Sequence, residues 1–285
     1  MATIYQTGSI DLFKPEVWTA RLESNLQKKG VYADLANKDY EGEISGYGDT
    51  VHVPNIGRIT LADYAVNGEI PELERLTDEL TTLTITQAKS FNFGVDDIDK
   101  AQSKPAVMEE AMKEAAYSVS DAIDQYLASF YTAATNGPDL ATALTTNKAL
   151  VYDTFVDIRT KFRETDVPID DLSAVIPPWL EAVVLKDDRF IHATAAGDNV
   201  LKNGEIGRLA GVRLVVSNNV PITATTDFHV LTFAGKKGLS YAGQVAKTEA
   251  YRPEKMFTAA VKGLHVFGAN MMNPEYVQDS VFGKA

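Results

Sequence analysis

The chain has 285 residues, 45% hydrophobic and 23% charged, enough apolar mass for one elaborate domain or two modest ones, and this balance excludes a disordered or fibrous chain. Its 39 acidic and 27 basic residues give a net charge of -12, and the densest basic clusters are Lys28-Lys29 and Lys236-Lys237. A surface that grips duplex nucleic acid needs several cations on one face, so tight binding is excluded, although an acidic wall that encloses DNA without holding it is not. There is no cysteine, which removes disulfides, thiolate nucleophiles and cysteine-bound zinc. The N-terminus shows no basic start followed by an apolar run, and no 18-residue apolar stretch occurs, so the expectation is a soluble protein made in the cytoplasm.

Residues 1–45 carry scattered apolar groups (Ile10, Leu12, Phe13, Val17, Trp18) and one expected short helix, Pro15 to Gln27, closed by Lys28-Lys29-Gly30. That is too little apolar mass for a core, so the segment reads as an arm leaning on something else. From Gly46 the period becomes two: Val51 and Val53 on the first strand, then Leu83, Ile85, Phe91, Phe93 and Val95 on its return. An acidic segment, Ala62 to Glu79, separates them. The expectation is one hairpin over residues 46–95, on the order of 30 Å long, whose apolar groups find shelter on another surface.

From Pro105 to Thr135 the apolar residues Met108, Met112, Ala115, Val119, Ile123, Tyr126 and Phe130 form one helical stripe. This predicts a rod of roughly 45 Å, ended by Asn136-Gly137-Pro138. Beyond it the pattern is mixed: helix Tyr152–Glu164, strand Leu172–Ile176, a short helix from Pro178 to Leu185, then strands at "RLAGVRLVVS", "FHVLTFAG" and "MFTAAVKGLHVFGANMM". The class is α+β.

No catalytic pattern survives inspection. Gly204, Gly207 and Gly211 precede a strand rather than open a helix, so they read as turns and hinges, not a phosphate cradle. His52, His192, His229 and His265 are scattered, with no pair on one helical turn. Asp96, Asp97 and Asp99 in "VDDIDK" lack the glycine and distal glutamate of a calcium loop. "GLSYAG" is one residue too long for a nucleophile elbow around Ser240. No cofactor or metal is expected, and the chain does not read as an enzyme.

In this order, arm, long ribbon, long helix and mixed region resemble the major capsid (coat) proteins of tailed bacteriophages, the Hong Kong 97-type fold shared with encapsulin shells. "GDTVHVPNIGRITLADY" and "LTITQAKSFNFGVDDID" resemble the two strands of that family's E-loop. "VPIDDLSAVIPPWLEAVVLKDDRF" and "IGRLAGVRLVVSNNVP" resemble its A-domain. The resemblance implies an N-arm at 1–45, an E-loop at 46–95, a P-domain at 96–150 and 247–285 with a spine helix near 105–135, and an A-domain at 151–246.

It further implies self-assembly into hexamers and pentamers of an icosahedral virion shell around double-stranded DNA, with Val51, Val53, Leu83, Ile85, Phe91 and Phe93 between subunits. Before assembly the subunit would sit in the host cytoplasm. A portal, a separate scaffolding protein and a decoration protein are the further partners it suggests; no membrane is involved. With no lysine between Gly46 and Ala88, the covalent cross-links of some relatives are not expected. The alternatives are an encapsulin-like compartment enclosing protein, and a monomeric α/β hydrolase using Asp or Glu.

Overall fold

The computed structural model describes residues 30–41, 47–56, 78–96, 107–140, 150–186, 208–223, 226–255 and 257–284. The expected helix from Pro15 to Gln27 therefore lies outside the described residues. The elements in chain order are α1 (Val31–Leu35), β1 (Thr50–Ile56), β2 (Asp78–Thr84), β3 (Gln87–Asp96), α2 (Val107–Ala128), β4 (Thr135–Leu140), α3 (Leu150–Glu164), β5 (Leu172–Ile176), α4 (Pro178–Leu185), β6 (Arg208–Leu209), β7 (Val212–Val216), β8 (Asp227–Ala234), β9 (Leu239–Tyr251), β10 (Thr258–Met271) and β11 (Val277–Gly283).

The strands form three sheets: β1-β2, β3-β10-β9 and the six-stranded β4-β11-β8-β5-β7-β6. The large sheet is covered on both faces. On β5, Ala174 and Ile176 face a core built with Phe155, Ile158 and Phe162 of α3, while Val175 faces the opposite core with Val119, Ile123 and Leu127 of α2. On β8, Val230 and Ala234 join the first core, and Leu231 and Phe233 the second. A strand buried on both faces reads as a continuous apolar run, and all five residues of "LSAVI" are buried.

The long helix is shorter than its pattern predicts. It spans 22 residues, about 33 Å, and tightens into a 3₁₀ turn at Ser129–Ala133. Asn136-Gly137-Pro138 does not stop it; those residues lie in β4, which runs parallel to β11. Pairing with a neighbouring strand overrides the turn tendency of that tripeptide.

The predicted hairpin is likewise revised. β1 pairs antiparallel with β2, Val51 opposite Leu83. Phe91 and Phe93 belong instead to β3, which pairs with β10, opposite Gly263 and Val261. The run "LTTLTITQAKSFNFGV" thus divides between two sheets. The strand "RLAGVRLVVS" is itself a tight hairpin, β6 to β7, with Ala210 and Gly211 at φ 50° and 87°, the mirror-image turn that favours glycine.

β9 and β11 were not anticipated. β9 runs unbroken across the expected domain boundary at Ala246/Lys247, where its register against β10 shifts. β11, assigned by sequence to the P-domain, hydrogen-bonds to β8 of the expected A-domain.

The ribbon crosses the three-stranded sheet at Gly268. A Cβ there would collide with the Thr84 carbonyl oxygen and stand 2.9 Å from Ile85 Cα. Asn270 secures the crossing by donating its side-chain N–H to the Thr82 carbonyl at 2.7 Å. Gly268→Ala is expected to cost about 1–3 kcal/mol, read as a lower urea midpoint of the unassembled subunit; an unchanged midpoint would show the crossing to be loose.

Candidate inter-subunit surface

The ribbon base is built around Val51, Leu83 and Ile85, which pack with Ala242 of β9 and Val266 of β10. Leu83 and Ile85 retain 0% and 1% of their accessible area within the single chain. This corrects their assignment, and that of buried Val51, as groups sheltered by a neighbouring subunit. A side chain with no exposed area in its own chain has none to bury against another.

Pairing extends past the strand ends, with Gly48 donating its amide to the Ile85 carbonyl and Ile85 donating to that of Asp49. Val53 is half-buried beside Tyr40 and Met272. Phe91 and Phe93 stack at 6.0 Å and pack with Met112 and Ala116 of α2 and Val245 and Val261 of the sheet. Both remain partly exposed, as does Val53.

Gly204 and Gly207 lie outside the described residues. Gly211 occupies the β6–β7 turn, with the Arg159 side chain beside it and donating to the Ala210 carbonyl at 3.1 Å. The structure thus brings together Val51, Leu83 and Ile85 in one cluster and Phe91 with Phe93 in another.

The exposed face of β3-β10-β9 carries Ser90, Asn92, Lys247, Glu249, Lys262 and Leu264 around a shallow groove. Glu249 accepts from Lys247 and from Lys262, the latter at 3.0 Å, and these contacts hold its carboxyl below its ordinary range. The Lys262 ammonium lies 5.1 Å from the Tyr251 ring centre, and the Asn92 amide donates to the Tyr251 hydroxyl at 2.9 Å. At the end of the β9–β10 hairpin Phe257 is 85% exposed. Tyr47, Tyr117, Ile222 and Leu264 are further large apolar groups open to water. The sequence placed Phe257 at the start of an expected strand, and periodicity alone does not mark that end of the strand as open to water.

A second arrangement escaped the sequence for a different reason. Thr223 Oγ1 lies 2.7 Å from His229 Nε2, and His229 Nδ1 lies 2.6 Å from Asp279 Oδ2. Hydroxyl, imidazole and carboxylate in series have the connectivity of a hydrolytic relay, drawn from segments distant in sequence. The Thr223 N–H is already donated to the Asp227 carbonyl, leaving it no role at an oxyanion. The chain of bonds ties loop 217–223 and β8 to β11, with the Tyr131 ring 4.2 Å from the imidazole.

Ser240 is buried within β9, not on a strand-to-helix turn, so the nucleophile-elbow reading has no structural basis. His265 is buried and its pKa is lowered to about 4 by that burial. Among the described residues no group of three or more His, Cys, Asp or Glu could hold a metal ion, and no helix is long and apolar enough to cross a membrane.

A carboxylate at the ribbon base would be buried without a partner. Leu83→Asp should therefore leave no cooperatively folded subunit, and Leu83→Ala should cost roughly 2–5 kcal/mol in chemical unfolding. A soluble, fully folded Leu83→Asp chain would contradict this placement.

The sequence profile of the family described as phage capsid protein matches residues 78–279. A structure from Mycobacterium phage Che8 shares 23% identity at a TM-score of 0.73, over 98% of this chain and 96% of that one. The capsid of cyanophage P-SCSP1u also reaches 0.73, at 14% identity, over 100% of this chain and 93% of that one. A virus-like particle from Pyrococcus furiosus reaches 0.57, at 12% identity, over 93% and 98%. No curated protein matches the sequence. The α+β architecture is that of phage capsid structures, and by the profile spanning most of its length the chain belongs to the phage capsid protein family.

Proposed function

We propose that this protein is the major subunit of a tailed-phage head, assembling as hexamers and pentamers into an icosahedral shell that encloses double-stranded DNA. The observation that carries the reading is the match to phage capsid structures along essentially the whole chain, on top of the family profile. In this reading residues 30–41 continue the N-arm, β1 and β2 are the base of the E-loop, α2 is the spine helix, and the sheet containing β5, β7 and β8 belongs to the A-domain.

The mechanism is geometric. The buried base fixes β1 and β2 on the body, and in this reading the ribbon they form contacts an adjacent subunit. Val53, Phe91 and Phe93, each partly exposed, and Phe257 supply apolar area for such contacts. A specific contact needs on the order of 1,000 Å² or more, and repetition around a ring multiplies it. Net charge -12 keeps the wall from trapping the genome. In this reading the further partners are a portal and a scaffolding protein, and the subunit waits in the host cytoplasm until assembly. The polypeptide performs no catalysis.

A compartment filled with protein is the rival on the same fold, favoured by the likeness to the virus-like particle from Pyrococcus furiosus. Particles purified during phage growth should protect DNA from nuclease and absorb more strongly at 260 than 280 nm; nuclease-insensitive particles without DNA favour the rival. Negative-stain microscopy of the expressed chain should show rings or shells. A 31.1 kDa monomer at every concentration would overturn both.

Phe257→Asp separates assembly from folding. An exposed substitution changes subunit stability by no more than about 0.5 kcal/mol, yet shell yield in sedimentation should fall severalfold. Normal shells would remove Phe257 from the interface.

A further inference from the structure

The arm helix α1 has Gly30 at its N-cap and so no capping side chain of its own. Asp124 of α2, 93 residues along the chain, supplies one: its Oδ2 accepts the Val31 N–H at 2.9 Å. This carboxylate is buried, and its Oδ1 meets no hydrogen-bond partner. Beside it the fully buried Tyr32 leaves its hydroxyl unpartnered too.

The titratable groups acting on this socket come from every element around it. Asp121 of α2 is the charge that acts on Asp124 itself; the Tyr32 hydroxyl of α1 and the Tyr241 hydroxyl of β9 stay protonated and uncharged, and Asp279 of β11 acts on Tyr32. Glu41 acts through Tyr241, and His229 of β8 is held by Asp279. Lys38 and Asp34 pair with each other at 3.4 Å on the outer side. A negative charge at Asp124 is therefore poorly hydrated, with one carboxylate oxygen unpartnered and the like charge of Asp121 nearby, whereas a neutral carboxyl fits there.

We propose that Asp124 is a protonation-controlled latch for the N-terminal arm: neutral, it leaves α1 firmly seated on α2; ionised, it loosens the seat. Burial raises its pKa from 3.8 to about 6, outweighing the Val31, Ala33 and Tyr32 amides that favour the charged form, while Asp121 adds to the rise. For an acid whose pKa is raised in the docked state, docking is strongest below 3.8 and weakens as pH rises through about 6. These values correspond to a roughly 25-fold fall in the docking equilibrium between about pH 4.5 and about 7.5. The inference does not depend on the shell reading.

Hydrogen exchange of the full-length, unassembled subunit tests it, with rates corrected for the intrinsic effect of pH. Amides of residues 31–36 should lose protection by roughly 25-fold across that range while those of β5 hold constant. Asp124→Asn, neutral at every pH, should keep residues 31–36 protected at neutral pH and abolish the dependence. Asp121→Asn, lacking the nearby like charge, should move the transition to lower pH. Flat protection in the wild type, the same dependence in Asp124→Asn, or parallel loss in β5 would each overturn the latch.

Discussion

One apolar stripe on α2 holds this molecule together. Val119, Ile123 and Leu127 meet Tyr32 and Leu35 of the arm, Val175, Leu231 and Phe233 of the six-stranded sheet, and Phe267 of the three-stranded sheet in a single cluster. Tyr126 joins it edge-on, its ring 5.5 Å from Phe267. Two sheets with different strand orders are thereby fixed relative to each other through a rod that belongs to neither. Burial is roughly proportional to apolar area and indifferent to direction, so one helix face can serve three layers.

The ribbon depends on that frame. An isolated pair of strands is marginal in water, and the pair β1-β2 gains its foothold from the Val51, Leu83 and Ile85 cluster laid over β10. The foothold requires close backbone approach, which Gly268 permits. The residues that hold the ribbon to the body are buried ones at its base, whereas Phe257 stands open on the surface.

Where the two sheets, arm and helix converge, polar groups are buried as well. Asp124 caps α1, Asp279 holds His229, and Asp121 accepts the Asn219 amide at 2.7 Å. Each bond joins residues far apart in sequence. Apolar packing alone would tolerate small slides between these layers; hydrogen bonds with fixed partners do not. The desolvation cost, visible in the raised pKa values of Asp124 and Asp279, accompanies that definition.

Local periodicity settled a good deal. The stripe of α2, the bounds Leu172–Ile176 and Pro178–Leu185, and the buried face of α3 were legible because each element carries its own repeat or punctuation. So was the family, through segments whose order is a property of the chain. What periodicity could not supply was partnership. Alternation marks Leu83 and Phe91 as strand residues alike, but only the folded chain decides that one pairs with β1 and the other with β10. β11 was invisible because Gln278, Asp279 and Ser280 are polar, yet they are buried by strands on either side. The sequence alone determined which residues seek shelter; the tertiary structure decided who gives it, because burial is a relation between segments and not a property of either one.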